Sequence, residues 1–205
     1  MSLRASASAT STIEPVPQGT HLAVCTVLVD LGLQENKTYK KWQPKIMLGW
    51  EICGETYQDE EGNEKPKMIY SRYTNSLNDG AALRRDLVAW RGRDFTPEEL
   101  DDFNLVNIVG KSCFLTVIHN EVNGKKYANI SSIAGLPKNV TPGMPIGKTL
   151  VFDLDDATLE EVDLLPEWMG KVIKQSSTYK DKFDKAYSQP APVYDDLEND
   201  GQLPF

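Results

Sequence analysis

An Asn-Gly pair at Asn123 and Gly124 separates two β-rich runs and dictates how the chain turns there. The pair supplies the two positive φ angles of a type I′ turn, whose twist matches that of paired strands. Ser112–Glu121 is therefore expected to fold back antiparallel onto Lys126–Ala134. Phe114, Thr116 and Ile118 alternate with Cys113, Leu115, Val117 and His119, so both faces are largely apolar. That suits the wall of a small β-barrel covered inside and outside. Lys125, Lys126 and Tyr127 give the turn a cationic tip with an aromatic beside it.

Upstream, Thr20–Asp30 is β-branched and apolar on both faces and reads as a first strand. Gln34–Lys45 reads as a polar loop in which Tyr39 and Trp42 sit among Lys37, Lys40, Lys41 and Lys45. Ile46, Leu48, Trp50 and Ile52 alternate along a second strand. Lys67–Thr74 makes a third, with Met68, Tyr70 and Arg72 on one face and Ile69, Ser71 and Tyr73 on the other. The acidic turn between them, Asp59 to Glu64, lacks the spaced oxygens of a calcium loop. After Leu77 the period lengthens to a helix through Ala82, Leu83, Leu87 and Trp90, capped by Asn78 or Asp79 and ended by Gly92. Thr96-Pro-Glu-Glu99 opens a second helix with a capping box. The order is β-β-β-α-β-β: mainly β with α insertions, a five-stranded barrel.

Residues 19–137 form the core on this reading, behind a flexible arm at 1–18. Residues 138–175 are expected to pack on the core as a strand and a helix, the helix spanning Thr158–Gln175 through Leu159, Val162, Leu165, Met169, Val172 and Ile173 and broken at Pro166. Residues 176–205 are expected to be a disordered acidic tail with an apolar tip.

The net charge of −8 is unevenly placed. Residues 20–148 hold 16 Lys and Arg against 16 Asp and Glu, whereas residues 149–205 hold 5 against 13. A neutral core can still present a basic groove, because salt screens contributions beyond about 8–10 Å. No apolar run is long enough to span a bilayer, so a soluble, cytoplasmic chain without membrane partners is expected. Cys25, Cys53 and Cys113 are odd in number and far apart, which points to buried thiols rather than a disulfide framework or zinc. His21 and His119 have no partner at metal or triad spacing, and no metal, cofactor or catalytic residue is assigned. Two segments invite an enzymatic reading. Gly147-Lys148-Thr149 resembles the end of a phosphate-binding loop, but Pro142 stands where that loop needs glycine. Val151–Thr158 resembles the nucleophile motif of haloacid dehalogenase-type phosphatases through Asp153 and Asp155, but Asp156-Ala157 departs from it and too little chain follows for the α/β sheet.

The aromatic and basic groups fall on the first loop, on strands 2–3 and on the 4–5 turn. Those are the ligand surfaces of an OB-fold barrel. Bases stack there on aromatic rings while Lys and Arg follow the phosphates. Residues 19–137 resemble the core of phage-encoded single-stranded DNA-binding proteins, through Pro17–Thr20, Val29–Gly32, Ala82–Gly92 and Asn123–Asn129. The end of the chain resembles theirs too: Asp195, Asp196, Glu198 and Asp200 precede Leu203-Pro204-Phe205. The resemblance implies sequence-tolerant binding of single-stranded DNA, with replication or recombination proteins recruited by that tail. Trp42, Tyr70, Tyr73 and Tyr127 would stack bases, and Lys40, Lys41, Lys45, Arg72, Lys125 and Lys126 would hold phosphates. A rival reading is an assembly module that turns its acidic surface to a basic protein. The oligomeric state, a homo-oligomer included, is left open.

Overall fold

The computed structural model describes residues 14–37 and 40–184. The chain is mainly β, with six strands in one open sheet. Strands β1 (Gly19–Asn36), β2 (Lys41–Gln58), β3 (Glu64–Thr74), β4 (Ser112–Val122) and β5 (Lys125–Ala134) run antiparallel in the order β3-β2-β1-β4-β5. A short β6 (Leu150–Phe152) pairs parallel with β1 at Val27–Val29. Helices α1 (Ala82–Arg91) and α2 (Pro97–Asp101) lie between β3 and β4, while α3 (Leu159–Leu164), α4 (Glu167–Ile173) and α5 (Ser177–Phe183) follow β6. The edges of β3 and β5 approach within 8 Å between Cα atoms, and α1 lies against both.

Local chemistry sets the turns. Asn123 and Gly124 take φ of 53° and 77°, and the hairpin pairs Val122 with Lys125 and Phe114 with Ala134. Gly92 ends α1 in the left-handed region at φ 71°, where its N–H reaches Val88 O. At α2 the Glu99 N–H donates to Thr96 Oγ1 at 3.3 Å and the Thr96 N–H to the Glu99 carboxylate at 3.1 Å. α1 departs from expectation: it is preceded by Ala81, which offers no side-chain cap, and Asn78 contributes only its carbonyl to the turn leading in.

Strand β1 is buried on both faces, and extra residues at Thr26 and at Leu31 shift its register against β2. Cys25 pairs with Trp50 but Val27 pairs with Gly49, so Thr26 is bulged. The insertion switches the alternation. Ala23, Cys25 and Leu28 enter one core with Leu48, Trp50, Leu115 and the α1 residues Leu83, Leu87 and Trp90. Val27, Val29 and Leu31 enter a second with Met47 and, from the C-terminal extension, Leu154, Val162, Met169 and Ile173.

Four boundaries differ from the sequence reading. Residues 34–36 and 41–45 are strand rather than loop: β1 and β2 continue as a paired ribbon to Asn36 and Lys41. The arm is docked at its end, since Val16 is buried and its carbonyl accepts from His119 Nε2 at 2.8 Å, while Pro17 O accepts from His21 Nε2 at 2.8 Å. The helix expected over Thr158–Gln175 breaks at Pro166 as expected, into α3 and α4, but α4 ends at Ile173 and Leu159 faces out. The segment from Ser176 is ordered through α5: Ser176 caps the helix, Ser177 Oγ donates to Leu33 O at 3.3 Å and Leu33 N–H donates to Thr178 Oγ1 at 2.9 Å.

Gly49 is required by contact. A Cβ there would stand 2.7 Å from the Tyr70 ring and 2.8 Å from Val27 Cβ, both packed in the second core. Gly49→Ala is expected to lower unfolding free energy by about 1–3 kcal/mol, the usual range for overpacking, in a urea titration.

Candidate nucleic-acid interface

The pleat of β2 and β3 sorts the expected DNA contacts onto two faces. Register partners share a face, and alternate residues along a strand oppose each other. Ile46 pairs with Tyr73 and Trp50 with Ile69 on the inner face, which is core. Tyr73 is 2 % exposed, and its hydroxyl donates to Asp86 Oδ2 at 3.0 Å. It packs the interior and offers no ring to a base, which corrects its expected stacking role.

The outer face carries Lys45 opposite Thr74, Met47 opposite Arg72, Gly49 opposite Tyr70 and Glu51 opposite Met68. Much of it is covered by the chain's own extension. Tyr70 lies over Gly49 and meets Trp168 of α4 edge-on at 5.1 Å, and burial pushes its hydroxyl up to about 12. Its stacking position is taken, so the expected role of Tyr70 is also corrected. Glu51, 2 % exposed, accepts the Ile146 N–H at 2.6 Å and the Gly147 N–H at 2.8 Å. A Cβ on Gly147 would sit 2.8 Å from the same carboxylate, so glycine is needed. The segment that resembles a phosphate loop thus spends its amides on a carboxylate of this chain.

The end of this face beyond Met47 stays open. There Lys45 and Arg72, joined by Lys37, line a cavity of about 310 Å³ with the acid Glu35 and with Leu31, Gln34, Asn36, Val172 and Gln175. Lys45 Nζ donates to Thr74 Oγ1 at 2.9 Å, and burial lowers the Arg72 guanidinium from its usual range. Lys41 shares the Lys45 face by alternation, while Trp42, opposite Glu35, shares the other face with Pro44 and is half-buried. Lys40 is exposed in the turn with φ of 53°. Lys125 and Lys126 are exposed and Tyr127 half-buried at the β4–β5 tip. Because Gly19 pairs with Val117, that tip projects past the start of β1, whereas the 37–40 turn follows its end. The sheet therefore brings together Lys37, Lys45 and Arg72, and separates them from the tip. Gln34, Val172 and Gln175 escaped the sequence reading; the cation-rich run around Lys37 was its nearest signal.

The four arginines from α1 to the start of α2 are held in ion pairs. Arg84 pairs with Asp79 and Asp94, Arg85 with Asp86, and Arg91 and Arg93 with Glu99, whose carboxyl they hold well below the usual range. Asp195, Asp196, Glu198, Asp200, Leu203, Pro204 and Phe205 lie outside the described residues.

A larger cavity of about 820 Å³ has the opposite character. Asp30, Asp153, Asp155 and Asp181 line it, with Lys182 and the apolar Val106, Val151 and Phe152. Asp153 Oδ1 accepts the Asp155 N–H at 3.0 Å and its carbonyl accepts the Ala157 N–H at 3.1 Å, a turn leading toward α3. Among the described residues no helix is long and apolar enough to cross a membrane, and no group of three His, Cys, Asp or Glu is placed to hold a metal ion.

Burial, reinforced by the charges of Asp155 and Asp153 and opposed by the Gly32 N–H bond, raises the Asp30 carboxyl from its ordinary 3.8 to about 6. Between those values the folded chain holds a proton that the unfolded chain has lost. The stability this contributes is full below the ordinary value and is lost as pH rises through about 6. Asp30→Asn, which keeps an acceptor for Gly32, is expected to flatten the fall in stability between pH 4 and 7 and to add about 1–2 kcal/mol at pH 7.5, as read by urea titrations across pH.

Compared with protein-family models and with curated proteins, the chain matches none.

Proposed function

We propose that this chain binds single-stranded DNA without reading its sequence, in phage-type replication or recombination, and is not an enzyme. The observation that carries this reading is the cluster of Lys37, Lys45 and Arg72 at the open end of the β2–β3 outer face. The strand order supports it: β3-β2-β1-β4-β5, with β3 and β5 approaching and a helix against both, is the connectivity of an OB-fold barrel, whose ligands lie on the strand 2–3 face and its flanking loops.

On this reading phosphates lie along Lys45, Arg72 and Lys37 and continue over Lys41 and Lys40, while Lys125 and Lys126 at the opposite end make a separate phosphate contact. Trp42 and Tyr127, the two half-buried aromatics of the expected set that no core takes up, supply ring faces. Each stacked base contributes about 1–3 kcal/mol, which every base supplies equally well. The acidic tail competes with DNA for the cations, and its apolar end, Leu203-Pro204-Phe205, recruits replication or recombination proteins.

Titration with oligo-dT should quench tryptophan emission, with Trp42→Phe lowering the quench more than Trp168→Phe, since Trp50 and Trp90 are buried and Trp42 and Trp168 are the two left to report. Lys45→Ala and Arg72→Ala should each weaken binding about tenfold and lower the salt slope by about 1. Deleting residues 188–205 should strengthen it. No binding at low salt by either the full or the shortened chain would remove the reading.

The acidic cavity favours a second reading, a protein-binding module whose partner brings a basic, partly apolar segment to Asp30, Asp153 and Asp155. Capture of a Lys-rich peptide in preference to any oligonucleotide, lost in Asp153→Asn, would select it.

A further inference from the structure

We infer that the acid-lined cavity receives the β4–β5 tip of a second copy of this chain. This rests on the second reading, in which that cavity takes a basic, partly apolar segment, and it names the segment: Val122, Lys125, Lys126 and Tyr127 of a neighbour.

The cavity carries charge that the chain does not neutralise. Asp30, Asp153, Asp155 and Asp181 line it, and among the described residues none of the four is in an ion pair. Lys182 lines it too, but its ammonium donates to the backbone carbonyl of Leu154 at 3.0 Å and to that of Asp155. Asp30 Oδ1 accepts the Gly32 N–H at 2.8 Å and Asp153 Oδ1 the Asp155 N–H at 3.0 Å. A carboxylate has about four acceptor positions, so these bonds orient both groups and leave positions for an incoming ammonium. Between the acids the wall is apolar, through Leu28, Leu33 and Phe152 with the exposed Val106 and Val151. A lysine suits such a lining, its stem lying on the apolar wall and its head among the carboxylates.

The tip has the complementary character. Lys125 and Lys126 are exposed and make no ion pair or side-chain hydrogen bond among the described residues, and exposed Val122 and half-buried Tyr127 adjoin them. Glu121 stands opposite Lys126 in the register without pairing to it. The balance is two lysines against one acid at the tip, and four acids against one lysine in the cavity. The two lie at opposite ends of β1: the tip projects past Gly19, whereas the cavity begins at Leu28, roughly 30 Å further along the strand. A chain therefore does not fill its own cavity, and a contact between two unlike patches repeats head to tail. One hairpin tip is small beside the ~1,200–2,000 Å² that stable complexes bury, so association is expected on the order of 100 μM and weakens with salt. A docked tip is withdrawn from phosphates, so the two uses of Lys125 and Lys126 compete.

Sedimentation velocity of the full chain over about 10–500 μM tests this. The mean mass should rise with concentration and fall in high salt. Lys125→Ser with Lys126→Ser, and separately Asp155→Lys with Asp181→Lys, change exposed side chains that make no hydrogen bond or ion pair among the described residues, so the fold is kept. Each double variant should associate at least about tenfold more weakly than the parent. An equimolar mixture of the two should form pairs and stop there, because one retains the cavity and the other the tip. A parent chain that stays monomeric throughout overturns the inference, as does association unchanged in either variant or a mixture without pairs. In those cases a Lys-rich peptide that binds the parent and not the Asp155→Lys, Asp181→Lys chain keeps the cavity as a protein dock, and a peptide that binds neither removes that reading as well.

Discussion

The structure depends on the extra residue at Thr26. A strand whose alternation is never interrupted buries one set of side chains and shows the other to water. Here the bulge carries Ala23 and Cys25 into one core and hands Val27, Val29 and Leu31 to the opposite side, so β1 needs two covers. The arrangement has a cost at its own origin, since Thr26 Oγ1 is buried without a hydrogen-bond partner. The first cover is α1 with the inner faces of β4 and β5. The second is the extension, which is accordingly part of the fold rather than an appendage.

That second cover decides what the outer face can do. Where Glu51 holds two backbone amides and Tyr70 meets Trp168, protein groups take the places a ligand would use. Where the cover stops, Lys45, Arg72 and Glu35 line a cavity. The proposed DNA site falls at that end of the ribbon, with Val172 of the helix layer in its wall. A separate cavity around Asp30 has a mainly acidic lining.

What the sequence made legible was local. The Asn123-Gly124 turn, the Gly92 end of α1, the Thr96 capping box and the Pro166 break each follow from a few adjacent residues, and each is present. The β-β-β-α-β-β order followed from them. Less visible was anything that depends on which face a residue takes. Tyr70 and Tyr73 are three apart, and alternation alone sends them to opposite sides; only the register with Ile46 and Gly49 shows both sides to be covered. The ribbon at 34–45 looks like loop because Gln34, Lys41, Gln43 and Lys45 are polar, yet Gln43 is fully buried in a paired strand. Helix α5 escaped because the hydroxyls of Ser177 and Thr178 and a single apolar pair, Tyr179 and Phe183, attach it, too little to make a readable apolar period.

Those hydroxyls have a consequence of their own. Beyond Val29, where β6 stops, β1 has no strand on that side among the described residues, and an unprotected strand border invites docking by a neighbouring copy of the same chain. Ser177 and Thr178 occupy the carbonyl and amide of Leu33, and the Asp30 carboxylate takes the amide of Gly32. A chain clipped just before Ser176 would keep its turns and most of its interior but bare that border, so its fate would be polymerisation rather than unfolding.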